Sequence, residues 1–513
     1  MLQPRAYQLA IFETAKKKNT LVVLPTGLGK TLIALLLAQE RLKLFPSSKV
    51  LFLAPTRPLA EQHFHYFKKN FQEAENIEMH LFTGRINAKK RAEIWQKAQI
   101  VFSTPQCIHN DLKNNLIDLK QVSLLIEDEA HRCLKNYGYT YVAQKYLEQA
   151  KNPRLLGLTA SPSHEKSKIK EICKNLGIEA LEIRTRESED VKPYLQKLIY
   201  EIVKVEFPEE LQEVKILLKK IYDKKIQELE NRKLLFTKAT KKALLELQSK
   251  LRNMIISGEK HFNVLKGVSV CAQAIKLQHA LELLETQTLE TLFNYLQDLY
   301  EQAREKKSKA VMQIVNTKEF QDTYLITSKL YEQGFEHPKL SKLKEVIIKE
   351  VKNKPNLKAL IFSQYRDSVA KINDELTKQG IKSKIFIGQA NRRLNGLSQK
   401  EQQLILWEFK EGKMNVLVST SIGEEGLDIP EVDLVILYEP IPSAIRQIQR
   451  RGRTARLKPG KLVILMTKGT RDESYHWAAF HKEKKMYGIL QDIKNHFEKK
   501  EKNKKQKDLK EFV

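Results

Sequence analysis

The stretch Leu24–Thr31 has the sequence LPTGLGKT and lies between a predicted strand, Leu21–Leu24, and a predicted helix, Leu32–Gln39. A Gly-rich loop between a strand and a helix is the context that a phosphate-binding loop requires. Gly27 and Gly29 let backbone N–H groups approach phosphate oxygens, and the helix N-terminus adds its partial positive charge. The first position is Leu where the general motif has Gly, and an ordinary turn is the alternative. We expect the loop to bind a nucleotide.

The loop predicts a role for each of its residues. The Lys30 ammonium would reach the β- and γ-phosphates, and the Thr31 hydroxyl would bind Mg²⁺. The remaining residues would form the backbone cradle around the phosphates: Pro25, Thr26, Gly27, Leu28 and Gly29. The expected cofactors are therefore ATP and Mg²⁺.

Short apolar runs alternate with amphipathic segments on both sides of a central region. This pattern predicts parallel sheets whose two faces are covered by helices. The candidate strands of the first half are Leu21–Leu24, Val50–Ala54, Ile100–Ser103, Leu124–Glu127 and Leu155–Thr159. Those of the second half are Ala359–Ser363, Lys384–Ile387, Val416–Ser419, Leu434–Tyr438 and Leu462–Met466.

The central region has a different composition. No proline occurs between Pro208 and Pro338, and Leu, Lys, Glu and Gln dominate at helical spacing. We therefore predict an α/β protein with two parallel-sheet domains in tandem and an α-helical insertion between them. The expected bounds are residues 1–200, 201–335 and 336–490, followed by a Lys-rich tail over residues 491–513. A charge run of that kind is typically a frayed, solvated tail.

The chain has 513 residues, and 90 Lys and Arg oppose 62 Asp and Glu, for a formal charge of +28. Such an excess favours a polyanionic partner, because neutralised phosphates release counterions. A Lys-rich, heat-adapted composition is the alternative. The four cysteines form no CxxC pair, and we find neither a signal peptide nor a membrane-length apolar run. We expect a cytoplasmic protein with no membrane partner.

Acidic residues end the predicted strand Leu124–Glu127. Asp128 and Glu129 follow it, and then Ala130 and His131 complete a D-E-A-H sequence. A carboxylate at the end of a strand can complete a Mg²⁺ shell beside a phosphate loop, which is the role we assign to Asp128. Glu129 is placed to activate the attacking water. Four such residues alone are a weak signal, but downstream of a phosphate loop they are a strong one.

The motifs together resemble superfamily 2 helicases, which have two RecA-like domains. Motifs I, II, III and VI are matched in order by Leu24–Thr31, Asp128–His131, Thr159–Ser161 and Gln449–Arg456. Segments Ala54–Leu59 and Ser421–Asp428 resemble motifs Ia and V. With the helical insertion, the chain is most similar to the archaeal Hef helicases and their FANCM-type eukaryotic relatives.

The resemblance implies roles for further residues. Arg453 and Arg456 resemble arginine fingers, which stabilise charge on the transferring phosphoryl group; a basic surface helix is the alternative. Gln449 stands where some superfamily members have His. The nucleotide-contacting set would also include Arg5, Gln8, Gly426 and Asp428, with Gln8 reading adenine. The residues that would couple hydrolysis to strand binding are His131, Thr159 and Ser161, although such hydroxyls also cap helices.

The resemblance also implies a nucleic-acid track that binds one strand by its backbone. In the first domain the track would contain Thr56, Arg57, Thr83, Gly84 and Thr104. In the second domain it would contain Gln364, Tyr365, Arg366, Gly388, Gln389 and Thr420. The insertion is implicated in binding duplex or branched DNA in Hef-like proteins, and its basic candidates are Lys238–Lys242 and Arg304–Lys309.

The sequence therefore favours an ATP-dependent DNA helicase or translocase acting on forked or branched DNA in fork repair and recombination. A double-stranded-RNA-stimulated ATPase of the RIG-I or Dicer type is the alternative. A non-catalytic, ATP-gated clamp would require loss of a catalytic residue, and these residues are present. No XPF-type nuclease signature follows Asp472, so the expected partners are DNA, a separate nuclease subunit or a sliding clamp. The expected location is the archaeal nucleoid.

Overall fold

The computed structural model describes residues 3–71, 77–135, 137–389, 396–424, 429–455 and 458–510, with backbone alone for residues 500–510. Within these ranges, seven parallel strands form the first sheet in the order β3-β4-β2-β5-β6-β1-β7. The strands are β1 Thr20–Val23, β2 Lys49–Leu53, β3 Met79–Phe82, β4 Ile100–Ser103, β5 Val122–Asp128, β6 Leu155–Thr159 and β7 Ala180–Ile183. The covering helices are α1 Ala6–Lys17, α2 Lys30–Leu44, α3 Arg57–Asn70, α4 Ala88–Lys97, α5 Pro105–Lys113, α6 Gly138–Gln149 and α7 Lys166–Asn175.

The strands predicted from the first half of the sequence are confirmed to within a residue or two at their ends. Each of them is buried along its length, because helices cover both faces of the sheet. The prediction missed β3 and β7. Both are edge strands with half-buried residues, so neither has the continuous apolar run by which the central strands were recognised.

The second sheet is also parallel. Its strands in the described part of the chain follow the order β10-β11-β9-β12-β13-β8. They are β8 Leu198–Val205, β9 Ala359–Phe362, β10 Ser383–Phe386, β11 Val416–Ser419, β12 Leu434–Leu437 and β13 Gly460–Thr467. The associated helices are α14 Pro338–Asn353, α15 Arg366–Lys378, α16 Gln399–Lys410, α17 Ala444–Arg451 and α18 Arg471–Lys510.

Strand β8 corrects the predicted boundary at residue 200. It spans that position and pairs with β13 along its whole length, so it belongs to the second sheet. Its burial alternates between half-buried and exposed residues, which explains why the search for apolar runs missed it. The chain therefore enters the second domain before the insertion begins.

The predicted helical insertion is confirmed. Its helices are α8 Gln212–Asn231, α9 Lys241–Ile256, α10 Phe262–Thr286, α11 Leu289–Arg304, α12 Lys309–Val315 and α13 Lys318–Glu332. They enclose two apolar clusters, one around Leu218 and Leu284 and the other around Leu244 and Val270. Helix α10 contributes to both clusters and is the central support of this domain.

Buried hydrogen bonds attach the insertion to the second domain. Gln287 Oε1 accepts from Ser368 Oγ at 2.8 Å and from Ser363 Oγ at 3.3 Å. Lys339 Nζ donates to the carbonyl oxygen of Thr286 at 3.0 Å. Because Ser363 follows β9 directly, the insertion contacts the second sheet next to a predicted nucleic-acid segment.

Replacing Lys339 by Met should destabilise this junction. The Lys339 ammonium is paired with the Asp472 carboxylate, and neither side chain exposes any surface. The single variant leaves a buried carboxylate without its partner, which costs about 3–5 kcal/mol in the free energy of unfolding. Urea unfolding followed by circular dichroism measures the loss, and the double variant Lys339→Met/Asp472→Asn should recover much of it. A single variant that unfolds at the native urea concentration would contradict this account.

Helix α18 corrects the predicted tail. It continues through residue 491 to Lys510, and Ile493 and Phe497 pack against the core of the first domain. The apolar residues that keep it there are few among many Lys, so composition alone indicated a solvated tail. The helix has 40 residues, yet nowhere in the described ranges is a helix apolar enough to cross a membrane.

Candidate nucleotide and nucleic-acid sites

The predicted phosphate loop connects β1 to α2. Gly27 and Gly29 have φ angles of 85° and 78°, a conformation that favours glycine. A Cβ at Gly29 would lie 2.3 Å from Gln8 Nε2, so a side chain at this position would also displace Gln8. Lys30 is the first residue of α2, and its Nζ donates to the carbonyl oxygen of Leu24 at 2.9 Å. The ammonium group therefore lies over the loop.

The N-terminal helix α1 packs against the same loop. Gln8 Nε2 donates to the carbonyl oxygen of Leu28 at 3.1 Å, and the Tyr7 hydroxyl donates to it at 2.8 Å. The backbone N–H of Arg5 donates to Gln8 Oε1 at 2.8 Å, and the Arg5 guanidinium lies 5.0 Å from the Tyr194 ring centre. These contacts fix Gln8 beside the loop. Adenine recognition by Gln8 stays a prediction.

Asp128 is the last residue of β5 and lies at the same carboxyl edge of the sheet as the phosphate loop. Its Oδ2 is 2.9 Å from His63 Nε2, a contact that the sequence did not indicate. Burial opposes ionisation of Asp128, but the hydrogen bond from His63 and the charges of His63 and Lys30 outweigh it and lower the pKa of the carboxyl. Asp128 is therefore an anion at neutral pH, as a magnesium ligand must be.

Glu129 begins a contact chain that ends at the predicted coupling residues. Its Oε2 lies 3.2 Å from His131 Nδ1, which is also 3.2 Å from Thr159 Oγ1. The backbone N–H of Ser161 donates to Thr159 Oγ1 at 3.2 Å. This series of contacts is possible because β5, which precedes Glu129, and β6, which ends at Thr159, are neighbours in the sheet. The structure therefore brings Glu129 and the three predicted coupling residues together.

Motif VI of the second domain is organised by Glu424, which the sequence analysis missed. Glu424 binds Arg446 through two bonds of 2.6 and 2.8 Å and Arg450 through one of 2.7 Å. Its carbonyl oxygen accepts from Arg453 Nη2 at 2.6 Å. Gln449 is buried, and its Nε2 has no hydrogen-bond partner among the described residues. Because buried donors are normally paired, this amide is well suited to meet a ligand oxygen.

The two domains touch at the phosphate loop. A Cβ added at Gly452 would lie 2.7 Å from Thr26 Oγ1 and 2.8 Å from Thr26 Cβ. Motif VI therefore approaches the loop as closely as glycine allows, with Arg453 as the next residue. Three predicted nucleotide-site residues, Arg456, Gly426 and Asp428, lie outside the described residues.

Replacing Gly452 by Ala should weaken hydrolysis by separating the two domains. The added methyl group overlaps Thr26, and a displacement approaching 1 Å between reacting groups can cost up to 10²-fold, so we expect a roughly tenfold lower kcat. Steady-state ATP hydrolysis measures the effect, with Gly488→Ala as the control because a Cβ at Gly488 meets nothing within 4 Å. Equal rates for the two variants would show that this contact is not part of the active geometry.

The predicted track residues of the first domain follow three neighbouring strands. The sheet order β3-β4-β2 places Thr83 and Gly84, then Thr104, then Thr56 and Arg57 side by side at the carboxyl edge. Such an edge is where parallel sheets bind ligands. Thr83 is buried, whereas Gly84 is exposed. The structure therefore brings the five residues together.

The second domain repeats the arrangement. The order β10-β11-β9 aligns Gly388 and Gln389, then Thr420, then Gln364, Tyr365 and Arg366. Arg366 Nη2 donates to the carbonyl oxygens of Gly388 at 3.2 Å and Gln389 at 2.9 Å. Tyr365 differs from the other residues, because its ring packs against the insertion core and lies 5.6 Å from the His279 ring. We therefore interpret Tyr365 as a contact with the insertion.

The basic clusters of the insertion are partly neutralised. Lys241 is paired with Glu282 at 2.6 Å, and Lys242 is paired with Glu246 at 3.7 Å, whereas Lys238 is exposed. Lys307 of the second cluster is paired with Glu305. These pairs leave the insertion less cationic than its count of Lys suggests.

Three family models match successive parts of the chain. "DEAD/DEAH box helicase" matches residues 5–169, and "Helicase conserved C-terminal domain" matches residues 338–458. The model "Putative ATP-dependent RNA helicase, helical bundle" matches residues 210–334. The matches cover the helical insertion and most strands of both sheets, whereas β7, β8 and β13 lie outside the matched ranges.

Among similar proteins, "Putative ATP-dependent RNA helicase MJ1505" of Methanocaldococcus jannaschii is 40% identical over 96% of this chain and 61% of that protein. "ATP-dependent DNA helicase fml1" of Schizosaccharomyces pombe is 32% identical over 95% of this chain and 59% of that protein. The chain therefore spans about three fifths of these relatives. The crystal structure of the Pyrococcus furiosus Hef helicase domain is 45% identical, with a TM-score of 0.70 over 93% of this chain and 98% of that one. The chain belongs to the Hef helicase family, within the DEAD/DEAH box helicases.

Proposed function

We propose that the chain is an ATP-dependent DNA helicase or translocase that acts on forked or branched DNA in fork repair and recombination. The observation that carries this proposal is the contact between Gly452 and Thr26. It places motif VI of one domain against the phosphate loop of the other, so a nucleotide on the loop would contact both domains. Hydrolysis would then depend on the relative position of the two domains. In each domain, the residues after the carboxyl ends of the β-strands would bind the nucleic acid.

The site fits ATP with Mg²⁺. Asp128 is ionised and buried, Lys30 begins α2 over the loop, and Gln449 has a buried donor without a partner in the described chain. Carboxylate and hydroxyl oxygens are the ligands that Mg²⁺ prefers, so Thr31 and Asp128 would hold it. When bound there, the metal would supply positive charge to the phosphates. Burial of Asp128 would strengthen its interaction with the metal.

In the mechanism we propose, Glu129 accepts the proton of the attacking water. Lys30 and Arg453, together with Arg456, stabilise the negative charge on the phosphates from opposite domains. The chain of contacts from Glu129 through His131 to Thr159 would report the state of the site to the strand-binding edge. Closure and opening of the domains would then advance the strand.

The carboxyl edges of the two sheets support binding of a single nucleic-acid strand by its backbone. Three adjacent strand ends in each domain present Thr, Arg and backbone groups, which bind phosphates without reading bases. The formal charge of +28 favours the same partner. The protein partner that we propose is a separate nuclease subunit or a sliding clamp.

An RNA-stimulated ATPase is the second candidate. It is favoured by the names of the matching helical-bundle family and of the Methanocaldococcus relative. DNA is favoured by the name of the fission-yeast relative. A non-catalytic clamp is disfavoured because Lys30, Asp128 and Glu129 are present and positioned together.

Strand separation on a labelled fork tests the proposal. We expect release of the labelled strand, or migration of a branch, with ATP and Mg²⁺ but not with a non-hydrolysable ATP analogue. An RNA fork serves as the matched substrate. ATP-dependent separation of the RNA fork alone would defeat the DNA assignment in favour of the second candidate.

A further inference from the structure

His63 links a helix of the first domain to the acid at the end of β5. It lies on α3, and its Nε2 is 2.9 Å from Asp128 Oδ2, with both side chains buried. The ring centres of His63 and Phe52 are also 4.4 Å apart, at an interplanar angle of 31°. The imidazole therefore contacts both an aromatic ring and the Asp128 carboxylate.

The chemistry of the contact fixes the direction of the hydrogen bond. An ionised carboxylate only accepts, so His63 Nε2 must carry the hydrogen and donate it to Asp128. His63 Nδ1 has no hydrogen-bond partner among the residues that the structure describes. Packing against Phe52 would be served equally well by an apolar ring. The bond to Asp128 is therefore the feature that requires histidine.

We infer that His63 is a positioning residue that orients the Asp128 carboxylate for Mg²⁺ and ties this carboxylate to the nucleic-acid track. The inference rests on the proposed ATP site. His63 engages Oδ2, and the backbone N–H of Glu129 also donates to this carboxylate, so the two bonds together orient it. The remaining lone pairs of the carboxylate would bind the metal or its bound water. Groups that hydrogen-bond to metal ligands in this way typically change metal affinity by 10–100-fold when they are removed.

The link to the track follows from the position of His63 on α3. This helix begins at Arg57, directly after Thr56, and both residues are predicted to contact the nucleic-acid strand. His63 lies about 9 Å further along the helix axis. A nucleic-acid strand bound at the start of α3 would act directly on this helix, and a metal bound at Asp128 would act on it through His63.

Two variants separate the hydrogen bond from the packing. His63→Phe keeps a ring against Phe52 but removes the donor, whereas His63→Gln retains a donor that can reach Asp128. Binding of a fluorescent, non-hydrolysable ATP analogue is measured while Mg²⁺ is titrated, so the readout does not depend on turnover. Thermal unfolding checks that both variants are folded.

We expect His63→Phe to require about tenfold more Mg²⁺ for half-maximal binding, and His63→Gln to stay close to the native protein. The inference is overturned if His63→Phe titrates like the native protein, or if His63→Gln shifts as far as His63→Phe. If the native protein binds the analogue without any dependence on Mg²⁺, the proposed metal site itself fails. The two failures are therefore distinguishable.

Saturating single-stranded DNA tests the second part of the inference. In the native protein the DNA should tighten binding of the analogue, because both ligands act on α3. The gain is the ratio of the analogue's affinities with and without DNA. In His63→Phe this ratio should fall toward 1, while the affinity for DNA without nucleotide stays native. An undiminished gain in His63→Phe would refute the tie between Asp128 and the track.

Discussion

Arg453→Ala is expected to lower kcat for DNA-stimulated ATP hydrolysis by about 10³–10⁵-fold. Arg453 follows Gly452, the residue that touches the phosphate loop, and its guanidinium donates to the Glu424 carbonyl oxygen at 2.6 Å. A cation held there by the second domain can neutralise charge that develops on the phosphates at the loop. Its loss removes an interaction made in the transition state, so nucleotide binding should be largely kept.

Steady-state turnover at saturating DNA, together with binding of a fluorescent ATP analogue, measures this effect. Lys151→Ala is the control because Lys151 is an exposed cation in the turn before β6, at the opposite edge of the sheet. The control should hydrolyse ATP at the native rate. Native turnover by Arg453→Ala would remove the second domain from the proposed chemistry.

Glu129→Gln is expected to lower kcat by about 10²–10⁴-fold, the usual contribution of a general base. The substitution preserves the shape of the side chain but removes the group that accepts a proton from water. The backbone of Glu129 has a φ of 51°, a conformation that is uncommon for a non-glycine residue and that turns the chain sharply after β5. We interpret this conformation as a means of directing Glu129 toward the loop.

The test of Glu129→Gln compares single-turnover hydrolysis with affinities for nucleotide and DNA. Both affinities should remain close to native, since the charge of Asp128 and the cradle of the loop are unchanged. Glu148→Gln, an exposed acid on α6, serves as the control. If Glu129→Gln hydrolysed ATP as fast as the control, another residue would have to be the base.

The sequence predicted the parts of the fold and site that lie in consecutive residues. The phosphate loop and the D-E-A-H acids were recognised because their chemistry depends on local spacing next to a buried strand. The central strands were recognised by continuous apolar runs. The edge strand β8 was missed because its residues are only half-buried or exposed, and its partner β13 is more than 250 residues away.

The missed site residues depend on long-range contacts. His63 meets Asp128 across 65 positions, and Arg446 meets Glu424 across 22 positions. A single His in a helix, or an Arg in a basic run, has no local signal that identifies its partner. Only the arrangement of strands in each sheet brings such residues together. The placement of the predicted track residues along adjacent strand ends has the same origin.

The rate of ATP hydrolysis with different nucleic acids is the sharpest test of the proposal that the motor acts on forked DNA. The native protein is assayed in parallel without nucleic acid, with forked DNA, with linear duplex DNA and with double-stranded RNA. We expect low turnover without nucleic acid and the largest stimulation by forked DNA. Stimulation by double-stranded RNA alone would contradict it.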